Sequence, residues 1–431
     1  MKRPLWGWYL LIAIVVLAPA AIRLLTWPRF RRAALDPQMV LAGQTLFLHE
    51  WQANDPLSAG GDGLGPVYNA DSCVACHRQG GAGGAGGLEH NVTTFVYRSE
   101  AEANTLGKPR EGVVHAFAVN CPPETLDLLH AELPPVSRPP LFMLVSLSGS
   151  RDNHCIAVPS AVRLSQRNTP ALFGTALIDS IPDRVLIANE RMERLRWGLA
   201  PEKSEELPVG RALRLADGRV GHFGWKAQSA SLASFVQAAC ANELGLGNPG
   251  QAQPRPLSKS SYQPAGFDLT LEQCDQITAF VASLPRPVER LPDESLLRNE
   301  ALEGKRLFHR IGCADCHMPK VGEVDGLYSD LLLHDMGQPL EGGGSYNDDP
   351  PPSNPNAPPP SDGPEPGEWR TPPLWGVADS APYLHDGRAP TLEKAIELHG
   401  GQGTRAARKF AALSKTEQGQ ILIFLRTLRA P

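Results

Sequence analysis

Aromatic residues are scarce in this sequence, since phenylalanine, tryptophan and tyrosine together make up 6% of its 431 residues. Glycine and proline are plentiful instead, with 41 of each. This balance argues against one large sheet or a single helix bundle and favours compact units joined by long irregular connections. The chain also lacks a basic excess, because its formal net charge is −5, so nothing in its charge suggests nucleic acid as a partner. The length allows two or three domains.

Charge is missing from one long stretch near the N-terminus, Pro4 to Ile22, which is mostly apolar. The run is long enough to cross a bilayer. Tryptophans lie near both of its ends, as expected at membrane interfaces. We therefore predict an N-terminal transmembrane anchor within residues 1–34. The alternative is a cleavable signal, for which Ala18–Ala21 would be a poor processing site.

Histidine is also sparse, with 12 in the chain, yet two histidines directly follow a pair of cysteines. The two copies comprise Cys73, Cys76, His77, Cys313, Cys316 and His317. C-x-x-C-H is the pattern of covalent c-type haem attachment, in which two thiols add to the haem vinyl groups and the histidine binds iron as proximal ligand. A zinc half-site or a redox C-x-x-C is the alternative, but neither requires a histidine after both pairs.

Haem is attached in this way outside the cytoplasmic membrane, so we expect the body of the protein to lie on the periplasmic side. The four remaining cysteines would then be in an oxidising compartment, where an even number suggests disulfides. Local pairing favours Cys121 with Cys155 and Cys240 with Cys274. Other pairings and buried free thiols stay open.

The order of segments around the first haem motif recurs around the second, which indicates an internal repeat. A G-x-x-L-F pattern precedes both motifs, and the similar segments Arg167–Gly174 and Arg370–Val377 follow them. Each half closes with a predicted helix, at Leu271–Leu284 and Thr416–Leu428, because apolar residues recur there at helical spacing. Prolines within Pro285–Ser295 interrupt this spacing and separate the halves.

The first half contains an insertion at about residues 88–166. Its alternating stretches Val92–Arg98 and Phe142–Gly149 predict β-strands. The second half carries a proline-rich loop at residues 348–368, whose composition excludes a packed core element. The predicted segments of the chain are 1–34, 35–287 and 288–431.

These features resemble the di-haem cytochrome c peroxidase superfamily and, more closely, the di-haem oxidoreductase family once labelled thiol oxidoreductases. Besides the haem motifs, the residues that carry the resemblance are Gly221–Leu232, Ser329–Gly337, Glu368–Val377 and Tyr383–Gly401. The resemblance extends over nearly everything after the N-terminal run. It implies a mainly α fold with two cytochrome c-like haem domains, the first with a β-containing insertion, preceded here by the predicted transmembrane helix.

In the superfamily, a methionine near the end of the segment similar to Tyr383–Gly401 binds the second haem iron. His399 occupies that place here, so the resemblance suggests that His317 and His399 bind one iron from opposite sides. The alternative is that His399 is a polar residue favoured at a helix C-terminus. His334 and Met336 are the reserve ligands.

The two halves align without a gap at Leu232 and Leu392, which places Ala239 opposite His399. Alanine cannot bind iron, so we expect the first haem to keep an open sixth position. A histidine of the insertion, such as His154, is the alternative ligand.

The same alignment places Trp225 opposite His385. The resemblance implies that Trp225 mediates electron exchange between the haems and that Glu243 moves protons during peroxide cleavage. The alternatives are a core tryptophan and an exposed helical glutamate. His385 lies in an H-D-G turn, so we expect it to hydrogen-bond to haem or backbone.

We therefore expect a periplasmic di-haem c-type oxidoreductase with peroxidase-like chemistry, in which electrons pass from a low-spin haem to an open catalytic haem. The alternatives are a pure electron-transfer cytochrome and a haem enzyme that oxidises a partner protein. The expected cofactors are two covalent haems with their iron. Related peroxidases often hold calcium, but no cluster here supports it. The expected partners are a periplasmic or membrane electron donor, and peroxide or a partner protein.

Overall fold

The computed structural model describes residues 35–97, 110–119, 143–146, 155–158, 162–198, 206–254, 262–344, 346 and 363–431. Residues Pro37–Pro431 form one compact unit. The division of this unit into domains at 35–287 and 288–431 stays a prediction. The predicted anchor at residues 1–34, His154 and residues 348–362 of the predicted proline-rich loop lie outside the described residues.

Helices flank both haem motifs and close both halves of the chain. They are α1 (Pro37–Leu48), α2 (Cys73–Cys76), α3 (Thr175–Asp179), α4 (Asp183–Gly198), α5 (Leu232–Leu244), α6 (Leu271–Ser283), α7 (Ser295–Ile311), α8 (Leu392–Glu397), α9 (Thr404–Ala411) and α10 (Lys415–Leu425). The closing helices α6 and α10 begin at capping boxes, formed by Thr270 with Gln273 and by Ser414 with Glu417. These boxes satisfy backbone donors that the first turn leaves without partners.

The strands are short and pair antiparallel. They are β1 (Val67–Tyr68), β2 (Val92–Tyr97), β3 (Arg110–Val114), β4 (Phe117–Ala118), β5 (Met143–Ser146), β6 (Cys155–Val158), β7 (Val162–Arg167), β8 (Val288–Glu289), β9 (Lys320–Val321), β10 (Val324–Asp325), β11 (Leu333–Asp335), β12 (Glu368–Arg370) and β13 (Leu428–Arg429). In the insertion, β2 lies between β3 and β7, with Phe95 opposite both Gly112 and Leu164. Each of the two stretches for which strands were predicted in the insertion contains a strand: β2 lies in the first and β5 in the second.

Close helix packing explains the glycine of the repeated G-x-x-L-F pattern. Helix α1 lies along α6, and α7 lies along α10. A Cβ added at Gly43 would lie 1.8 Å from the Gln276 carbonyl oxygen, and one at Gly304 would lie 1.9 Å from the Gln420 carbonyl oxygen. The two backbones therefore touch at both crossings, where only glycine fits.

The phenylalanine of the same pattern connects each helix pair to a haem motif. The centroid of the Phe47 ring lies 5.0 Å from that of an aromatic ring of α6 and 6.4 Å from that of the His77 ring. The centroid of the Phe308 ring lies 5.5 Å from that of an aromatic ring of α10 and 6.4 Å from that of the His317 ring. The repeat seen in the sequence is therefore also a repeat of side-chain packing.

Two reciprocal backbone hydrogen bonds connect the halves. The Asn168 N–H donates to the His385 carbonyl at 2.7 Å, and the Arg370 N–H donates to the Trp225 carbonyl at 2.9 Å. Asn168 and Arg370 each precede the Thr-Pro pair of the repeated segment, and Trp225 and His385 are the aligned positions. Each half therefore holds the other through matching residues.

The predicted fold class, mainly α with an N-terminal transmembrane helix, is wrong. Helices account for only about 39% of the structure, and several small sheets accompany them. Frequent glycine and proline end the helices early and form turns, next to which short strands pair. No helix of the described residues is long and apolar enough to cross a membrane.

The predicted disulfide between Cys240 and Cys274 is also wrong. Both thiols are free and buried, one on α5 and the other on α6. Both belong to the same hydrophobic core, where a reduced thiol behaves as a small apolar side chain. Cys155 lies in β6, and its predicted partner Cys121 lies outside the described residues.

We expect Gly304→Ala to lower the free energy of unfolding by about 1–3 kcal/mol, because the added methyl group would push α7 away from α10. Gly419→Ala is the matched control on α10, since a Cβ there meets no atom within 4 Å. It should stabilise the helix by about 0.5–1 kcal/mol. Denaturant unfolding of both variants measures the difference, and equal stabilities would contradict the close crossing.

Candidate functional site

A cavity of about 660 Å³ lies between the two halves and is lined by both C-x-x-C-H motifs. The motif cysteines and histidines are half-buried because they face this space. The other predicted site residues on its wall are Trp225, Ala239, Glu243 and His399. The structure therefore brings every predicted site residue to one cavity.

The two motif histidines are oriented alike. His77 Nδ1 lies 3.2 Å from the Gly84 carbonyl oxygen, and His317 Nδ1 lies 3.0 Å from the Tyr328 carbonyl oxygen. Donation from Nδ1 leaves the Nε2 lone pair for a metal. Burial lowers the pKa of both imidazoles to about 4, so both are neutral, metal-binding bases at pH 7.

The motif cysteines are free thiols. Burial raises the pKa of Cys73, Cys76 and Cys313 to about 12, and it also raises the pKa of Cys316. Redox C-x-x-C motifs show the opposite shift, a lowered thiol pKa. The environment of both pairs therefore disfavours the redox alternative and is compatible with covalent haem attachment.

His399 faces His317 across the second motif. Their ring centroids are 6.4 Å apart, with the planes at 62°. One metal ion bound by two imidazole nitrogens at about 2 Å each would separate the ring centres by roughly 6 Å. His399 Nδ1 lies 2.7 Å from the Ala395 carbonyl oxygen, which leaves Nε2 free. The pair fits a shared iron.

The reserve ligands differ in their surroundings. His334 is buried, with Nε2 2.8 Å from Asp330 Oδ2 and Nδ1 2.8 Å from Gln402 Oε1, so both nitrogens are engaged. Met336 lines the cavity. Cys316, Asp330 and His334 form a group that could hold a cation. Such a site and thioether attachment would both use Cys316, so they exclude each other.

His385 lies in the predicted turn. Its ring stacks on Trp369, with centroids 3.6 Å apart and an interplanar angle of 9°. Burial, helped by the positive charges of Arg167, Arg388 and Lys226, lowers the pKa of His385 to about 2. Its ring packs as a neutral aromatic, and its backbone carbonyl makes the bond to the first half.

Trp225 and Ala239 belong to the part of the cavity wall that the first half of the chain supplies. Trp225 Nε1 donates to the Asn168 carbonyl at 2.9 Å, which fixes the indole at the contact between the halves. Ala239 lines the cavity from α5. Of the described histidines in residues 35–287, only His77 lines the cavity.

Glu243 lies near the end of α5, half-buried on the cavity wall. Its Oε2 accepts a hydrogen bond from Asn69 Nδ2 at 2.7 Å. Burial raises the pKa of Glu243, although hydrogen bonds from Asn69 and Tyr346 oppose this shift. Burial is the main cause of the raised pKa of Cys76, and the charge of Glu243 raises that pKa further. Glu243 is therefore a carboxyl group beside the first motif, suited to giving and accepting a proton.

Several cations that were not predicted as site residues also line the cavity, among them Arg167, Lys226 and Arg370. A signal was present, because Lys226 follows Trp225 directly and Arg370 lies within a segment that carries the family resemblance. Charged residues inside otherwise apolar and turn-forming segments are candidates for binding.

Two histidine–cysteine centres with neutral imidazoles, facing one cavity, define a protein that holds two haem groups. A family described as "Di-haem oxidoreductase, putative peroxidase" matches residues 152–428. Because this match covers more than half of the chain, the chain belongs to that family. The predicted family and the predicted enzyme class are therefore confirmed.

The solved structures that are similar to this chain resemble it only distantly. Hydrazine synthase from Kuenenia stuttgartiensis is 17% identical over 61% of this chain and 73% of its own, with a TM-score of 0.33. A MauG-like protein associated with microbial copper homeostasis is 20% identical over 58% of this chain and 90% of its own, with a TM-score of 0.29. A search of the curated proteins found no match.

Proposed function

We propose that this di-haem enzyme is a peroxidase on the periplasmic side of the membrane, with both haems covalently attached through the motif cysteines. One observation carries the proposal: one cavity is lined by both motifs, but among the described residues a histidine faces the motif histidine only at the second. When bound, the haems supply an electron store at the second centre and an iron open to peroxide at the first.

At the second centre, His317 and His399 would hold the iron from both sides. Their ring centroids are 6.4 Å apart, so an iron held by both imidazoles would have no position left for a substrate. Two imidazoles give a lower potential than histidine with methionine. This centre is therefore suited to storing an electron and passing it on.

At the first centre, His77 is the proximal base, and the position aligned with His399 is Ala239. A methyl group cannot bind iron, which leaves room for a small substrate. A pure electron-transfer cytochrome would need a ligand here, and among the described residues of the first half no histidine other than His77 lines the cavity. Peroxide fits because the proton-transferring group Glu243 lies on the same wall.

The reduction of hydrogen peroxide to two water molecules consumes two electrons and two protons. The Glu243 carboxyl, held in one orientation by Asn69, would relay these protons one at a time from solvent to the peroxide. A one-electron donor on the periplasmic side would supply the electrons. Trp225 lies at the contact between the halves, where it would support their transfer.

Covalent attachment is tested by removing each cysteine pair. We expect Cys73→Ser with Cys76→Ser, and Cys313→Ser with Cys316→Ser, each to lose one of the two covalently bound haems. Haem content per protein after denaturation and acid extraction measures this. Cys274→Ala is the control, because that thiol lies outside both motifs. A wild-type protein that releases all its haem would contradict covalent attachment.

His399→Ala should convert one haem from low-spin to high-spin iron, because one axial imidazole is lost, with covalent haem content unchanged. Visible absorption and electron paramagnetic resonance measure the spin state. His399→Met should restore low-spin iron at a higher potential. Met336→Leu tests the competing ligand. A change with Met336→Leu and none with His399→Ala would assign the iron to Met336.

Glu243→Gln should lower peroxide turnover by roughly 10²–10⁴-fold, because the amide cannot transfer a proton. The spin states of both haems should not change. Glu89→Gln is the control, since Glu89 pairs with Arg78 at the surface near the same motif. Normal turnover in Glu243→Gln would remove this residue from the mechanism.

A further inference from the structure

Three cations form one side of the cavity: Arg167, Lys226 and Arg370, here called the cationic wall. Lys226 is 3% exposed and Arg370 is 9% exposed. Lys226 Nζ lies 3.9 Å and Arg167 Cζ lies 4.5 Å from the centre of the Trp369 ring. Two of the cations therefore lie over one indole, and Arg370 is the next residue along β12, with Nε bonded to the carbonyl of Gly224, two residues before Lys226.

Backbone oxygens hold the cationic wall in place. Lys226 Nζ donates to the carbonyls of Glu365 at 3.0 Å and Pro366 at 2.8 Å. Arg370 Nε donates to the Gly224 carbonyl at 2.8 Å, whereas its buried Nη1 has no hydrogen-bond partner in the protein. The side chains are therefore positioned, but a donor remains for a ligand.

Described carboxylates act on the cationic wall from beyond salt-bridge distance: burial lowers the pKa of Arg167 and of Lys226, but the charges of Glu111 and Asp386 oppose this shift at Arg167, and those of Glu368, Glu111 and Asp335 oppose it at Lys226. Among the described residues, none lies within 4.0 Å of the charged nitrogens of the wall as a salt bridge partner. Neighbouring acids are engaged elsewhere: Glu368 with Arg211 at 2.6 Å, Asp330 with His334 at 2.8 Å, and Asp386 with Arg388 at 2.6 Å. The cavity therefore carries buried positive charge on this side.

Buried charge without a partner is unfavourable. Burial accordingly lowers the pKa of Lys226 to about 7, and that of Arg167 and Arg370 to about 10. An anionic ligand in the cavity would offset this cost. Arginine is suited to carboxylates, because its planar guanidinium can bind both oxygens at once.

We infer that the cationic wall binds the propionate carboxylates of the two haems. This inference rests on the proposed function, because haem is the ligand that both motifs would bring into the cavity, and each haem carries two carboxylates. Arg370 also donates its backbone N–H to Trp225. The cationic wall would therefore orient the haems and keep positive charge beside the indole that lies between the halves.

The test is the midpoint potential of each haem in Arg370→Met at pH 8. Losing a positive charge disfavours the reduced, less positive iron. We expect the equilibrium constant for reducing one haem to fall about tenfold, which is 59 mV for one electron, with haem content unchanged. Arg370→Lys keeps the charge and should recover most of the potential. If Arg370→Met does not fold, Lys226→Met carries the measurement at pH 6, below the Lys226 pKa of about 7, where that side chain is charged.

Arg388→Met is the matched control. It removes the same charge from the same region, but Arg388 is exposed and bonded to Asp386, so its potentials should equal wild type. Equal potentials in Arg370→Met and Arg388→Met would overturn the inference and leave the proposed function standing. Wild-type protein without covalent haem would instead overturn the proposed function.

A dissolved anion is the other source of a carboxylate. Sodium acetate, titrated into the wild-type protein at constant ionic strength, should leave the haem spectrum and potentials unchanged, because propionates already occupy the cationic wall. A saturable shift would show that the wall is open to small anions, and it would overturn the assignment to haem propionates.

Discussion

Two reciprocal backbone hydrogen bonds determine how the site is assembled. Asn168 donates to the carbonyl of His385, and Arg370 donates to that of Trp225, so each half holds the other. Each bond contributes only about 1 kcal/mol, and the halves also share a hydrophobic core and a reciprocal backbone pair between Arg211 and Leu333. Both haem motifs therefore face one cavity. Because these bonds use backbone atoms, the side chains at all four positions can differ between the halves without loss of the contact.

The two centres share a frame but differ in chemistry. Phe47 and Phe308 lie at the same distance from their motif histidines, and each follows a glycine at a close helix crossing. On this common frame, His399 faces the second motif, whereas the aligned residue of the first half is Ala239. The repeat therefore gives the two motifs similar surroundings, and in the proposed function a few substitutions would separate electron storage from substrate binding.

Local and steric patterns made the repeat, both haem motifs and the closing helices predictable from the sequence. The fold class was not, because strands of two or three residues form only where tertiary packing brings them together. The Cys240–Cys274 prediction failed because sequence separation does not show that both thiols lie in an apolar core. The position of Glu243 could not be fixed by alignment alone, and the structure places it on the cavity wall.

The cationic wall could not be predicted for a further reason. Its three members lie far apart in the sequence, and each alone resembles an ordinary surface charge. Only the fold shows that Arg167 and Lys226 meet over Trp369, next to Arg370, and that no described carboxylate forms a salt bridge with them. A cavity with this charge is unfavourable for the protein chain by itself and favourable for an anionic cofactor. If haem propionates bind there as inferred, cofactor binding and folding would be coupled, because the ligand that brings the iron would also neutralise the charge between the halves.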